Sequence, residues 1–455
     1  MIIRNLIYIL QGENYYFGRF LRFAYSHPKW WSLENRGKIS WTKKSVAICI
    51  VSILIIISVC LGAFLGFGLA SLFIFVLVSI ICLPFIIGLS LLFVSPLDSF
   101  LKNGTMKEAG HILEANRNIV IGITGSYGKT SMKEILSAII SKKYDVINTP
   151  ENVNTDIGIA EFIVKNRSRF SESKVFIVEM GAYRRGEIGD ICRMVKPDYS
   201  ILTGINESHL ERFGNIGNTI AAKFELPENT AKMSVLNFDD ENIRNSADRF
   251  RIKHPEKVSA AEAADIIVKD NFGGLEFSYD GMRFETKLLA KHNIALILLG
   301  IRIAKELGLS NDEIRSGISS IGYIPHRLEP IFNTATGVIV IDDSYNGNMN
   351  GIKSGLEVLG RASGRKVVLT PGLVELGEKS QEIHEKIGES YARSADLVLL
   401  IKSPASGYII DGLKLGGFSE FKLYATTQEA HADLANILRK GDTIIFQNDL
   451  TDNYF

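Results

Sequence analysis

Two kinds of apolar pattern divide the chain. From residue 45 to residue 96 no charged side chain interrupts a run built mostly of Ile, Leu, Val, Phe, Ala, Gly and Ser. A membrane-spanning helix needs about 20 apolar residues, so the run suits two. We place them at about 45–65 and 69–94, divided by a turn within 62–68. Beyond residue 103 the apolar stretches become short and alternate with helical patterns, which predicts βαβ units and parallel sheets. Strands are expected at 118–123, 174–179, 199–203 and 233–237, and a second series at 337–342, 366–370, 397–401 and 443–446. Between the two series a helix is expected over 292–307, closed by Gly308 as its C-cap, and 321–327 with Pro325 reads as a linker. The expected architecture is α/β: a basic, aromatic segment with a two-helix transmembrane hairpin over 1–103, then domains over 104–325 and 326–455.

The flanks of the hairpin set its orientation. Arg4, Arg19, Arg22, Lys29, Arg36, Lys38, Lys43 and Lys44 precede the first span, against Glu13 and Glu34. A basic excess marks the cytoplasmic side, and two spans return the chain to it. The expected location is therefore a multi-pass position in the cell membrane with cytoplasmic catalytic domains. The aromatic and basic stretch 15–31 either lies along the lipid headgroups or packs on the soluble part. The apolar run starts too late and is too long for a cleaved signal peptide. With 51 basic and 50 acidic residues there is no global field for nucleic acid, and no nucleic-acid partner is expected. Four cysteines without metal or redox spacing imply a reducing compartment and no cysteine chemistry.

The sharpest chemical signal is Gly122-Ile-Thr-Gly125-Ser126-Tyr-Gly128-Lys129-Thr130, followed by Ser131. It leaves an expected strand and enters an expected helix, which marks the 104–325 domain as a P-loop ATPase. Glycines let backbone N–H groups approach phosphates, and the helix N-terminus adds positive potential. Lys129 is placed to reach the β/γ-phosphates, and the Thr130 hydroxyl to ligate Mg²⁺. The glycine spacing departs from the strict Walker pattern, since Ile123 stands where a glycine is usual.

This loop resembles that of the Mur ligase family, most of all its D-alanyl-D-alanine-adding members. Further segments follow in the family's order: Thr149-Pro-Glu-Asn152-Val-Asn154-Thr155, Glu179-Met-Gly181, Thr203-Gly-Ile-Asn-Glu-Ser-His209, Ala222-Lys223-Phe-Glu225, His292-Asn293, Arg327-Leu-Glu329 and Asp342-Asp343-Ser-Tyr345-Asn346-Gly-Asn348. The resemblance implies a Rossmann-like C-terminal domain and ATP with Mg²⁺ as cofactors. It assigns catalysis to Lys129, Glu179, His209 and Lys223. It assigns one Mg²⁺ to Thr130 and Glu179 and a second, over the acceptor carboxylate, to His209 and a carbamylated Lys223, because an unmodified lysine would repel the ion. Nucleotide contacts would come from Gly125, Ser126, Gly128, Lys129, Thr130, Ser131, Asn293, Arg327 and Asp343. Substrate contacts would come from Asn152, Asn154, Thr155, Tyr345, Asn346, Glu375 and His384. Taken singly, each has a plainer reading: a capping carboxylate for Glu179, a core histidine for His209, a solvated lysine for Lys223. Asn293 could simply open a helix, and Arg327 could form a surface ion pair.

The implied activity is an ATP-dependent ligase of the acid–amino-acid class, forming an amide through an acyl phosphate. Its expected substrates are a cell-envelope peptide or glycopeptide precursor and an amino acid or dipeptide. Mur ligases usually begin with a soluble domain that reads a nucleotide-linked sugar. Residues 1–103 carry a membrane segment there, so we expect a lipid-linked or membrane-near acceptor. Gly372-Leu-Val stands where an acidic residue is usual, and the tail from Asp442 lacks the Lys-Gly-Ser-Arg-like ending, so the amine stays open. The alternatives are the same chemistry on a poly-amino-acid or folate-like chain, and an ATP-binding membrane scaffold without catalysis.

Overall fold

The computed structural model describes residues 2–13, 15–26, 39, 41–208, 210–345 and 347–448. Two compact units meet in sequence after Thr105. The first is helical: α1 (Ile2–Gly12), α2 (Phe17–Ser26), α3 (Lys43–Phe67), α4 (Leu69–Ile81) and the start of α5 (Leu83–Asn116). Thr42 caps α3 by accepting the Ser45 N–H at 3.1 Å, and Gly68, at φ 80°, ends it. The second expected span is two helices, broken at Cys82. Pro84 lacks an N–H and its ring would strike the carbonyl four residues back, so the first helix stops before it. Leu6, Ile7, Leu10, Ile48, Ile87 and Leu91 form the core of this unit. The Ser52 hydroxyl donates to Ser90 at 2.9 Å, tying α3 to α5. Within the 15–31 stretch, α2 packs on the hairpin: Phe17 occupies the space beside Gly88, where a Cβ would meet its ring at 2.8 Å. Residues 27–31 lie outside the described residues.

The second unit holds both expected strand series. β1 (Ile119–Thr124), β2 (Val146–Asn148), β3 (Val175–Glu179), β4 (Tyr199–Leu202), β5 (Met233–Asn237) and β6 (Pro255–Val258) make a parallel sheet in the order β2-β3-β1-β4-β5-β6. Side chains alternate across it, as the period-two pleat requires. Ile121 and Ile123 pack with α6 (Lys129–Ile140) and the helix His292–Glu306, while Val120 packs on the other face with Phe176, Ile159 and Ile163. An antiparallel sheet of β7 (Ala264–Val268), β8 (Leu275–Tyr279) and β9 (Met282–Thr286) follows, with Asp280 and Gly281 at positive φ in the β8–β9 turn.

The last sheet contains β10 (Glu329–Asn333), β11 (Val338–Asp342), β12 (Lys366–Gly372), β13 (Leu397–Ile401), β14 (Phe421–Tyr424) and β15 (Thr443–Asn448). Its order is β10-β11-β15-β12-β13-β14, antiparallel only at β10. Val368, Val398 and Ile445 serve one layer of its core, Val367, Leu399 and Ile444 the other. In such sheets ligands bind beyond the carboxyl ends of the strands, near the point where strand order reverses. The loops after β1 and β3 lie there.

Candidate functional site

The loop after β1 is held by its neighbours before any ligand arrives. The Ser126 N–H donates to Gly204 O at 2.7 Å, and the Tyr127 hydroxyl donates to Asp240 Oδ2 at 2.7 Å. The same Asp240 oxygen accepts the Ile205 N–H at 2.9 Å. At Gly125 a Cβ would sit 2.1 Å from Thr203 Oγ1, so no other residue fits. Gly128, at φ 76°, is the left-handed N-cap of α6. Lys129 opens that helix and donates to Gly125 O at 2.9 Å. Burial lowers its pKa, Glu179 opposes that effect, and the neighbouring Arg327 cation adds to it. Ser131, on the first turn of α6, is buried.

Glu179 ends β3 opposite Ile123 of β1, which brings the two strand ends together. The Thr130 hydroxyl donates to Glu179 Oε2 at 3.2 Å. These two oxygens are hard donors suited to Mg²⁺, so this part of the site fits the ion the resemblance implies. The Glu179 N–H donates to Thr149 Oγ1 at 3.1 Å, pinning the asparagine-rich loop to the same strand end. Asn154 O accepts the Gly181 N–H at 2.7 Å, and its side chain packs on the bare Gly181 backbone. Thr155 caps the helix Asp156–Lys165 by accepting the Gly158 N–H at 3.3 Å, so its hydroxyl has a structural partner.

Lys223 lies on the helix Ile216–Glu228 and is 3% exposed. Burial, reinforced by Lys129, drives its pKa down to about 7. A neutral amine is the form able to add CO₂, so near neutral pH this lysine can become the anionic carbamate that a hard metal accepts. Glu225, two residues on, accepts the N–H groups of Gly186 and Gly189 at the start of the helix Glu187–Val195. His209 lies outside the described residues. Among the described residues no three His, Cys, Asp or Glu side chains cluster as a metal set.

The C-terminal sheet supplies the opposite wall. Arg327 donates to Tyr345 O and stacks over the Tyr345 ring at 4.4 Å. His326 and Leu328, on either side of it, have positive φ, a conformation costly for side-chain-bearing residues. Asp343 sits near Arg327, and burial raises its carboxyl to about 7 against the pull of that arginine. The adjacent Asp342 pairs instead with His326 Nδ1 at 2.7 Å. Tyr345 donates its hydroxyl to Asn152, linking the two α/β layers, and Asn206 donates to Asn348 Oδ1 at 3.3 Å. Asn293 is buried at the start of its helix. Asn346 lies outside the described residues.

Glu375 and His384, also assigned to substrate, have protein partners as well. Glu375, at φ 60°, is gripped by Arg212, whose Nη2 and Nε lie 2.6 and 2.8 Å from Oε1. His384 is fully buried: its Nε2 accepts the Leu373 N–H at 2.9 Å, and its Nδ1 donates to Ser380 O at 2.7 Å. Nε2 thus holds the loop after β12 and Nδ1 the first turn of the helix Ser380–Ser394, so His384 ties that helix to the loop. Sequence reasoning passed over Lys133, Arg212 and the Tyr127–Asp240 pair. The spacing of Lys133 one turn after Lys129 was the available signal for the first.

Comparison with known proteins follows the same division. Residues 123–304 match the Mur ligase middle domain, and residues 326–447 match the glutamate ligase domain of Mur ligases. The UDP-N-acetylmuramoyl-tripeptide–D-alanyl-D-alanine ligase of Escherichia coli K12 is 29% identical over 297 residues, 62% of this chain and 64% of that protein. The enzyme of the same name from Bacillus subtilis is 25% identical over 337 residues, 72% of each. The chain thus spans slightly less than two thirds of the E. coli relative. Among solved structures, the MurF ligase of Thermotoga maritima in complex with ADP superposes with a TM-score of 0.66 at 26% identity, over 76% of this chain and 80% of that one. MurF from Acinetobacter baumannii gives 0.67 at 23% identity, over 76% and 77%, and supports the fold alone. With the Mur ligase middle and glutamate ligase domains matched in order across about two thirds of its length, the chain belongs to the Mur ligase family.

Proposed function

We propose that this chain is an ATP-dependent ligase that adds an amino acid or dipeptide to a cell-envelope peptide precursor at the cytoplasmic face of the membrane. The observation that carries the reading is the Thr130–Glu179 pair beside Lys129, with Arg327 and the buried amine of Lys223 within electrostatic reach of Lys129 and Glu179. In this reading the acceptor carboxylate attacks the γ-phosphorus of ATP, giving an acyl phosphate and ADP. The incoming amine then displaces phosphate, leaving the amide. Lys129 and Arg327 offset the charge of the transferring phosphoryl group. Thr130 and Glu179 would hold one Mg²⁺, and a carbamylated Lys223 with His209 a second; together the ions would supply charge neutralisation between phosphate and carboxylate. Glu179 is fixed for that task by Thr149, and Arg327 by Tyr345.

The membrane part of the proposal rests on α3 and α5, of 25 and 34 residues with mean hydropathy 3.0 and 1.7 in their apolar windows. Leu54, Ile57, Leu65, Phe67, Phe73 and Ile81 are exposed, which suits contact with acyl chains better than with water. A tether of this kind favours a lipid-linked acceptor by raising its effective concentration. The relatives are named for a nucleotide-linked acceptor and D-alanyl-D-alanine, so both acceptor forms belong in the test. Purified full-length protein with ATP, Mg²⁺ and candidate carboxylate–amine pairs should release ADP and phosphate only when both substrates are present. Equal nucleotide turnover without them, or none with any pair, would overturn the ligase reading. Exclusive use of a soluble nucleotide-linked acceptor would overturn the lipid-linked part alone.

A further inference from the structure

We propose that Lys133 is a positioning residue that holds Glu179 and the Thr149 loop together and weakens the grip of this centre on its divalent cation. The inference rests on the ligase reading above. Lys133 lies on α6, one turn beyond Lys129, and is 2% exposed. Its ammonium donates to Thr149 O at 3.0 Å and lies 3.9 Å from Glu179 Oε2. That same Oε2 accepts the Thr130 hydroxyl, and the Glu179 N–H closes the circuit by donating to Thr149 Oγ1. The other carboxylate near Lys133 is the half-exposed Glu134, at 3.8 Å, on the outer side.

A buried ammonium is costly unless it is paired and hydrogen-bonded, and Lys133 has both kinds of partner. A mere packing residue at this position would need neither charge. The charge has a definite consequence, because a fixed cation beside a carboxylate reduces the negative potential a second cation meets there. Lys133 thus keeps Glu179 aimed between turnovers and prevents the metal from being held too tightly to leave with the product nucleotide. It reaches the reaction only through Glu179 and Thr149.

The test is a titration of full-length protein with Mn²⁺ in the presence of ADP, followed by electron paramagnetic resonance of the unbound ion. Lys133→Gln keeps a hydrogen-bond donor for Thr149 but removes the charge. It should bind Mn²⁺ at least about five-fold more tightly than the unsubstituted protein, and Lys133→Arg should stay within about two-fold of it. Lys133→Met serves as the second neutral variant should Lys133→Gln fail to fold, with circular dichroism as the check. Neutral variants that fold and bind Mn²⁺ with unchanged affinity would overturn the role of Lys133. If the unsubstituted protein with ADP takes up no Mn²⁺, the ligase reading itself fails.

Discussion

Replacing Lys223 with Met separates what this side chain costs the fold from what it contributes to the chemistry. The amine is 3% exposed and its pKa is drawn from 10.5 down to about 7 by burial and by Lys129. The sign follows from proton counting. Between pH 7 and 10.5 the unfolded chain holds this proton and the folded one does not, so stability falls as pH is lowered through that window. Each pH unit is worth about 1.4 kcal/mol, which gives about 3 kcal/mol between pH 9.5 and 7. Methionine fills a similar volume without a charge to desolvate. In CO₂-depleted buffer, Lys223→Met should therefore be more stable than the unsubstituted protein at pH 7, by about that amount, and the gap should close by pH 9.5–10. Urea denaturation at a series of pH values measures it directly. Added bicarbonate should stabilise the unsubstituted protein and leave the methionine variant unmoved, while ligase turnover disappears in the variant. Parallel pH–stability curves for the two proteins would refute the reasoning, because they would mean that the lysine keeps its ordinary proton in the fold.

Three other outcomes follow from the same geometry. Gly125→Ala would drive a methyl into Thr203 Oγ1 and against the Gly204 backbone, so the buried loop must shift: the melting temperature should fall, and ADP affinity measured by calorimetry should fall at least about ten-fold. Glu375→Ala removes the carboxylate that Arg212 grips; the loss should be about 1.5–3 kcal/mol in denaturant unfolding and should raise the KM for the amine, whose expected loop this pair holds. Asp343, whose carboxyl is raised to about 7, contributes stability that is complete below its ordinary pKa and is lost as pH rises through 7. Asp343→Asn should flatten the pH–stability curve by about 2–3 kcal/mol between pH 5 and 7.

Four strands of each large sheet were legible in the sequence because each is a short apolar run bounded by turn residues, as at Ile119–Thr124 and Leu397–Ile401. The edge strands β2, β6, β10 and β14, short and largely open on at least one side, were not. The small β7–β9 sheet was not. Ala264–Val268 is mostly exposed, so no alternation of buried and open positions marks it. The break at Cys82 was obscured by hydropathy that stays high across it, and Pro84 was the signal that mattered. Of the site, Lys129, Thr130, Glu179 and Lys223 were recognisable from residue type and ordered motifs. Their mutual placement was not, since Lys129 and Lys223 stand far apart along the chain and meet electrostatically only through the fold.

The amino-acid order by itself determined the local elements: which runs are apolar, where glycine permits a tight loop, and which helix begins with Lys129. Those properties depend on neighbouring residues and on the period of the backbone, so they survive without any tertiary contact. Tertiary structure alone decided that Glu375 pairs with Arg212, that His384 Nε2 accepts the Leu373 N–H, and that Lys133 reaches Glu179. Each depends on distant segments being desolvated together, where an ionic or polar group must find a partner or shift its proton, and no local pattern records which partner that will be.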